Sequence, residues 1–401
     1  MVAVGAGSAQ AMDLIKADSD NHYSLKAWLH ASAVAASVDQ DDPFNQLRDE
    51  TFAFDAELQI RGAYTFENGS QFGAFVELEL DNDDSDSVLT DDDDRILDKA
   101  YIYYKSIYGH IQFGQVNGAA SQMSIAAPSV TRGPRINGGE IYFFEYPFAD
   151  FEVRPVALRT DLYASGDNIK IVYFTPRKWG LQAGVSYMPD FSRDLGDFFG
   201  NDEIDFDQQS EMLEVAANYI GNIGAIDVAV GGSYLKGNNE DPAFHFFIFR
   251  DNDDLEEWSF GANIGFGIDR LGVRIGGAYK ESNASGGLIF GHTGSGFVSD
   301  LIDTTLWQIG SVASLGPWSF GANYLRGESE EDNFLTPSGL SDLNGEAYEI
   351  AAGYKVGPGI NLNLAFQHYE YDRQPGGFTA ILIDGLSDEL DTVFLEAALS
   401  L

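Results

Sequence analysis

Apolar and polar residues alternate along most of this chain with a period of two. From Phe52, one parity reads Phe52, Phe54, Ala56, Leu58, Ile60, Gly62 and Tyr64, and the other reads Ala53, Asp55, Glu57, Gln59, Arg61 and Ala63. The same spelling returns in Leu271, Val273, Ile275, Gly277 and Tyr279 against Arg274, Gly276, Ala278 and Lys280. It returns again in Ile360, Leu362, Leu364 and Phe366 against Asn361, Asn363, Ala365 and Gln367. Successive side chains of an extended strand point to opposite faces, so the pattern predicts strands with one apolar and one polar face. Helical periodicity occurs nowhere at length.

The connections sort by size. Short ones fall at 67–70, 106–109, 176–180, 221–224, 269–272, 315–318 and 356–359. Long acidic ones alternate with them, near 38–50, 81–95, 189–210, 237–255, 282–304, 327–345 and 372–389, and one far longer spans about 117–167. Seven short and eight long connections make sixteen strands, with both ends of the series on the short-turn side. Lipid offers no partner for backbone N–H and C=O groups, so a sheet that crosses a bilayer closes on itself and leaves no edge. Its outward face is apolar and its inward face wet. The expected fold is an all-β, 16-stranded antiparallel transmembrane barrel. No stretch approaches the roughly 18–20 consecutive apolar residues of a membrane-spanning helix. The rival from another class is a soluble calcium-binding β protein.

The hexapeptide WSFGAN occurs at Trp258–Asn263 and again at Trp318–Asn323. In each copy Trp, Phe and Ala share one parity, and Trp opens the strand where turn meets lipid. One copy follows a long loop and the other a short turn, so Trp258 and Trp318 are expected in opposite aromatic girdles.

The chain carries 23 Lys and Arg against 63 Asp and Glu, a formal net charge of −40, and no cysteine. With no cluster of basic residues, nucleic acid is not an expected partner. MVAVGAGSAQA, residues 1–11, reads as the end of a secretory signal, with Ala9-Gln10-Ala11 as a cleavage site, leaving 12–401 as one barrel domain. His22, His30, His110, His245, His292 and His368 are scattered outside any nucleophile motif, and no zinc or nucleotide fingerprint occurs, so no enzyme activity is expected.

Three stretches, ELQIRGAYTFENGSQFGAFVELE (57–79), KAYIYYKSIYGHIQFGQVNGA (99–119) and NIKIVYFTPRKWGLQAGVSYMPD (168–190), resemble the trimeric sixteen-stranded general porins of Gram-negative outer membranes, closest to the alphaproteobacterial branch. Two departures stand out. Such chains usually end on Phe, and this one ends on Leu401; Gln112 and Gln115 stand where Arg is often found. The resemblance implies a homotrimer in the outer membrane, in contact with lipid and lipopolysaccharide, passing small hydrophilic solutes. It also implies that the third loop folds into the barrel and presents acids, here Glu140, Glu145, Asp150 and Glu152, across from a basic wall. Inward parity gives Lys26, Arg61, Lys99 and Lys105 for that wall. Opposed charges across a narrow passage make a field that orients dipolar solutes.

Loop arginines Arg132, Arg135, Arg154 and Arg159 are candidates either for that passage or for holding the loop to the wall. Other inward positions lean acidic: Asp55, Glu57, Glu77, Glu79, Glu214, Asp227, Glu349 and Glu396 against Lys170, Arg274, Lys280 and Lys355, which predicts cation preference. Phe75, Tyr101 and Tyr103 share the inward parity, and Tyr142, Phe143 and Phe144 lie in the third loop, a set that fits the alternative of a sugar-selective channel. No cofactor is required. The run 81–94, with Asp81, Asp83, Asp84, Asp86, Asp91, Asp92, Asp93 and Asp94, is a candidate for Ca2+ or Mg2+ at a subunit contact, against the plainer reading of a solvated acidic loop. Small residues on one parity of the first strand, Ala27, Ala31, Ala33 and Ala35, point to close approach of another subunit.

Overall fold

The computed structural model of the protein describes residues 12–15, 22–40, 50–79, 97–137, 159–190, 209–239, 254–283, 299–333, 340–373 and 387–401. A four-residue strand, β1 (Met12–Ile15), precedes β2 (Tyr23–Gln40), β3 (Glu50–Thr65) and β4 (Gln71–Glu79). Then come β5 (Leu97–Ser106), β6 (Gly109–Gln115) and a one-turn helix, α1 (Ala119–Gln122). Strands β7 (Ile169–Phe174), β8 (Leu181–Asp190), β9 (Gln209–Ile223), β10 (Ile226–Asn239), β11 (Leu255–Ile268) and β12 (Leu271–Ser282) follow. The chain continues through β13 (Ser299–Leu315), β14 (Trp318–Asn333), β15 (Leu340–Gly357), β16 (Ile360–Arg373) and β17 (Ser387–Ser400).

Every strand from β2 to β17 pairs antiparallel with the next, and β17 pairs with β2 through Leu390↔Gln40 to Ser400↔His30, so sixteen strands close into a barrel. At the seam, Leu29 N–H donates to the Leu401 carbonyl (3.0 Å) and Leu401 N–H to the Leu29 carbonyl (2.9 Å). The short strand β1, not foreseen from the sequence, pairs with β2 at Met12↔Ala27, Asp13↔Lys26 and Ile15↔Leu25. It occupies the stretch of β2 that β17 no longer reaches.

All seven short connections are where the sequence put them. Tight turns such as 224–225 and 316–317 are made by Gly224 and Gly316 at φ 65° and 61°, a left-handed conformation that costs glycine little. Two long connections differ from expectation, since β13 already begins at Ser299 inside the expected loop 282–304. Residues 327–345 were expected as a loop, but β14 runs to Asn333 and β15 starts at Leu340, with pairing out to Asp332↔Leu340. Acidic side chains on a ladder that extends past the lipid read like a loop by composition alone.

The alternation resolves into two faces. The outward face is apolar and exposed, with Phe52, Phe54, Ile264, Ile309, Ile350 and Leu364 among its residues. A soluble sandwich would press such faces together, and here they line the outside of a closed wall, which sets aside the soluble alternative. Trp258 and Trp318 both lie on this face, 43% and 49% exposed. Trp258 packs beside Tyr279 near the long-loop end of β11, and Trp318 beside Tyr354 next to the short turn. They therefore stand at opposite ends of the wall.

The inward face is less uniformly polar than expected. Leu306, Leu325, Leu390 and Phe394 point inward, are fully buried, and gather with Val34, Ala36 and Ile136 into a dry cluster. A second cluster joins Leu162 and Ala120 to Met188, Met212, Leu235 and Leu255. Ile136, Leu162 and Ala120 belong to the stretch between β6 and β7, so these clusters glue that stretch to the inside of the wall.

Ile264 sits midway along β11 on the outward face. Arginine there is expected to cost about 2–4 kcal/mol, the price of a guanidinium near the bilayer midplane. Denaturant unfolding of barrels in lipid vesicles measures it, and an unchanged midpoint would mean that this face meets water.

Candidate functional site

Residues 118–137 follow the inner wall strand by strand, and their backbone is caught by side chains of the wall. Ala119 N–H donates to Ser186 Oγ of β8 (2.9 Å), and Ala120 N–H to Glu214 Oε2 of β9 (2.8 Å). Asn263 of β11 donates to the Ala126 carbonyl (2.9 Å). Ser129 and Thr131 hydroxyls donate to Glu349 of β15 (3.1 and 2.9 Å). Arg132 and Gly133 N–H groups donate to Glu396 of β17 (3.2 and 2.7 Å), and Gln367 of β16 donates to the Pro134 carbonyl (2.6 Å).

The three carboxylates are shut away from solvent: Glu214 and Glu349 are 1% exposed and Glu396 is 0%. Each is fully engaged. Glu396 also accepts from Ser32 (3.0 Å) and Asn363 (2.7 Å), and Glu349 from Gln367 (2.8 Å). Glu214 also accepts from the Ser165 hydroxyl, while the buried Lys170 ammonium donates to the Ser165 carbonyl (2.8 Å) and the Gly166 carbonyl (2.6 Å). Hydrogen bonds to a buried charge are stronger than neutral ones, and an orphaned buried carboxylate is costly. These glutamates were expected as charges facing the passage. They are instead the clamps of the loop, because inward parity tells which face a side chain is on and not what covers it.

The wall makes room for the loop with glycines. A Cβ on Gly261 of β11 would stand 1.7 Å from the Ile125 carbonyl oxygen. On Gly321 and Gly353 it would meet Val130 at 2.7 and 2.9 Å.

On the other side of the barrel, next to the short turns 66–70 and 107–108, the inner wall is open. A cavity of about 210 Å³ is lined by Lys26 and Trp28 of β2, Arg61 of β3, Tyr101, Tyr103 and Lys105 of β5, and His110 of β6. Arg61 lies over the rings of Trp28 (5.4 Å), Phe75 (5.5 Å) and Tyr103 (5.6 Å). Phe75 and Tyr101 stack at 4.9 Å. Lys26, Arg61, Phe75, Tyr101, Tyr103 and Lys105 were expected inward from sequence parity, Trp28 and His110 were not among them, and parity could not give their convergence across five strands.

Three of the four expected basic residues, Lys26, Arg61 and Lys105, line this cleft. Lys99 does not. Its ammonium is bound between Glu77 and Asp98. Beside them Asp167, in the segment leading to β7, is raised from 3.8 to about 6, first by burial and then by its hydrogen bond to Asp98. Of the loop arginines, Arg159 pairs with Asp161 (2.6 Å) and covers Tyr163 (3.8 Å). Glu140, Glu145, Asp150, Glu152, Arg154, Tyr142, Phe143, Phe144 and the acidic run 81–94 lie outside the described residues. Among the described residues no group of His, Cys, Asp or Glu is arranged to hold a metal ion.

A profile described as Gram-negative porin matches residues 1–374. A search of curated protein sequences returns no match. Similar solved structures include the outer membrane channel DcaP of Acinetobacter baumannii, 14% identical, with a TM-score of 0.56 over 97% of this chain and 100% of that one. The anion-selective porin from Comamonas acidovorans is 14% identical, with a TM-score of 0.53 over 94% and 100%. OmpT, an outer membrane protein of Vibrio cholerae in trimer form, is 12% identical, with a TM-score of 0.54 over 94% and 99%.

Two outcomes are expected. Glu396→Ala strips the acceptor from Arg132 and Gly133, so amide exchange at 132 and 133 rises while the barrel stays assembled; unchanged protection would show that the clamp is dispensable. Asp167 keeps a proton that the unfolded chain gives up between pH 3.8 and about 6. Its contribution therefore favours the folded state at the acid end and falls away as pH climbs through that window. Asp167→Asn flattens this part of the stability–pH curve, read by unfolding at pH 4 and pH 7.

Proposed function

The chain belongs to the Gram-negative porin family and forms a channel in the outer membrane of a Gram-negative bacterium, and from that premise we propose that it is a water-filled pore for passive diffusion of small hydrophilic solutes and ions, with cations preferred. The observation that carries this reading is the closed wall, apolar outside, enclosing a charged cleft across from the clamped residues 118–137.

In this reading the narrowest part of the pore lies between the cleft and the third loop. Lys26, Arg61 and Lys105 supply one side of a transverse field, and Glu140, Glu145, Asp150 and Glu152 supply the other. Because Glu214, Glu349 and Glu396 are consumed beneath the loop, cation preference rests on the remaining acidic excess of a chain with formal net charge −40. The wall does chemistry on nothing; it sorts by size and charge. Trp258 and Trp318 serve as the two girdles where lipid gives way to water.

We further propose a homotrimer joined through the face of Ala31, Ala33 and Ala35, with lipid and lipopolysaccharide around it, and Ca2+ or Mg2+ bridging the run 81–94 at the contact. A second reading, a pore selective for sugars, draws support from the Phe75–Tyr101 stack in the cleft wall.

Planar-bilayer recording of purified protein in a KCl gradient tests the proposal. The reversal potential should have the sign of cation permeation, and Arg61→Ala combined with Lys105→Ala should push it further that way. Anion preference in the native protein would overturn the ion assignment, and the absence of channels would overturn the pore.

A further inference from the structure

We propose that the cleft on the inner wall of β2–β6 is a binding station for small aromatic carboxylates, which therefore cross the channel by way of a site rather than by free diffusion. The inference rests on the water-filled pore proposed above, not on its ion preference, and names a solute class that this part of the wall favours.

Cation chemistry and ring chemistry meet here in one place. Lys26, Arg61 and Lys105 line a cavity of about 210 Å³ together with Trp28, Tyr101, Tyr103 and His110. Arg61 is held by three rings at once, Trp28, Phe75 and Tyr103, all at 5.4 to 5.6 Å. The guanidinium hydrogen-bonds to Tyr101, and with five N–H donors in its fork it keeps others for an acceptor such as a carboxylate. No carboxylate among the described residues ion-pairs with Arg61 or Lys105. The ring supports are themselves fixed: Phe75 and Tyr103 are buried, Phe75 stacks on Tyr101 at 4.9 Å, and Tyr103 meets His110 edge-on at 5.5 Å. Trp28 and Tyr101 are only partly buried, and both line the cavity.

A solute with a carboxylate at one end and a flat ring at the other satisfies both halves. The carboxylate takes the Arg61 and Lys105 donors, and the ring lies against Trp28 and Tyr101. A neutral sugar would stack but leave the cations unmatched, and acetate would pair but leave the ring faces wet. The site is also well placed for transit. It opens beside the short turns 66–70 and 107–108, away from the clamped residues 118–137, so an occupant held there narrows the water path without displacing those residues.

The test uses the native protein in planar bilayers, with benzoate, cyclohexanecarboxylate, acetate, benzyl alcohol and glucose added in turn. Benzoate should interrupt the current at concentrations about tenfold below those of acetate or benzyl alcohol, as expected when charge and ring contacts are made together. Tyr101→Leu should abolish the advantage of benzoate over cyclohexanecarboxylate, and Arg61→Gln the advantage over benzyl alcohol. Equal block by benzoate and acetate, or stronger block by glucose, would overturn the proposal while leaving the pore intact. If no channel forms, the pore reading fails instead, so the two failures are distinct.

Discussion

A backbone surrounded by hydrocarbon must satisfy its own hydrogen bonds, and the rest of this structure depends on that demand. A single unpaired edge would leave a row of N–H and C=O groups with no partner. The chain meets it by bringing β17 against β2 and by setting β1 on the part of β2 that β17 does not cover. Once the wall is closed, two faces with different solvents are unavoidable. The alternating sequence is the chemical record of that division.

The inner face then has its own problem, since a segment that runs along it has backbone groups too. Residues 118–137 form no strand, so beyond the single turn of α1 their N–H groups call for side-chain partners. Glu214 and Glu396 meet several of them, Glu349 takes the hydroxyls of Ser129 and Thr131, and Asn263 and Gln367 serve the carbonyls. The dry cluster that holds Ile136 with Leu306 and Phe394 adds apolar burial to the clamp. Residues 118–137 are thereby fixed by the wall, while the cleft on the far side stays open. Rigidity on one side and space on the other give the passage its asymmetry.

Strand number, both faces and the seven short turns were legible because each is written in local order. Phe52, Phe54 and Ile350 face outward as their parity said. What was not legible is what lies opposite a residue in space. Glu396 and Lys105 have the same inward parity, yet one is sealed beneath Gly133 and the other lines an open cavity. Lys99 was grouped with Lys105 for the same reason, and differs because Glu77 and Asp98 are next to it. Gly261 reads as a weak spot in a strand until Ile125 is placed against it. Strand β1 is too short for alternation to register, and the acidic ends of β14 and β15 carry a loop's composition on a strand's backbone.

The seam between β2 and β17 has a kinetic meaning as well. His30 and Ser400 touch across 370 residues of sequence, whereas every other pair in the ring joins neighbours along the chain. Contacts that span so much chain form slowly, and until they do the molecule is a curled ribbon with two sticky margins. Assembly of this protein is therefore gated by its last stitch, and any factor that holds those margins apart from other ribbons controls how much of it survives to be sewn.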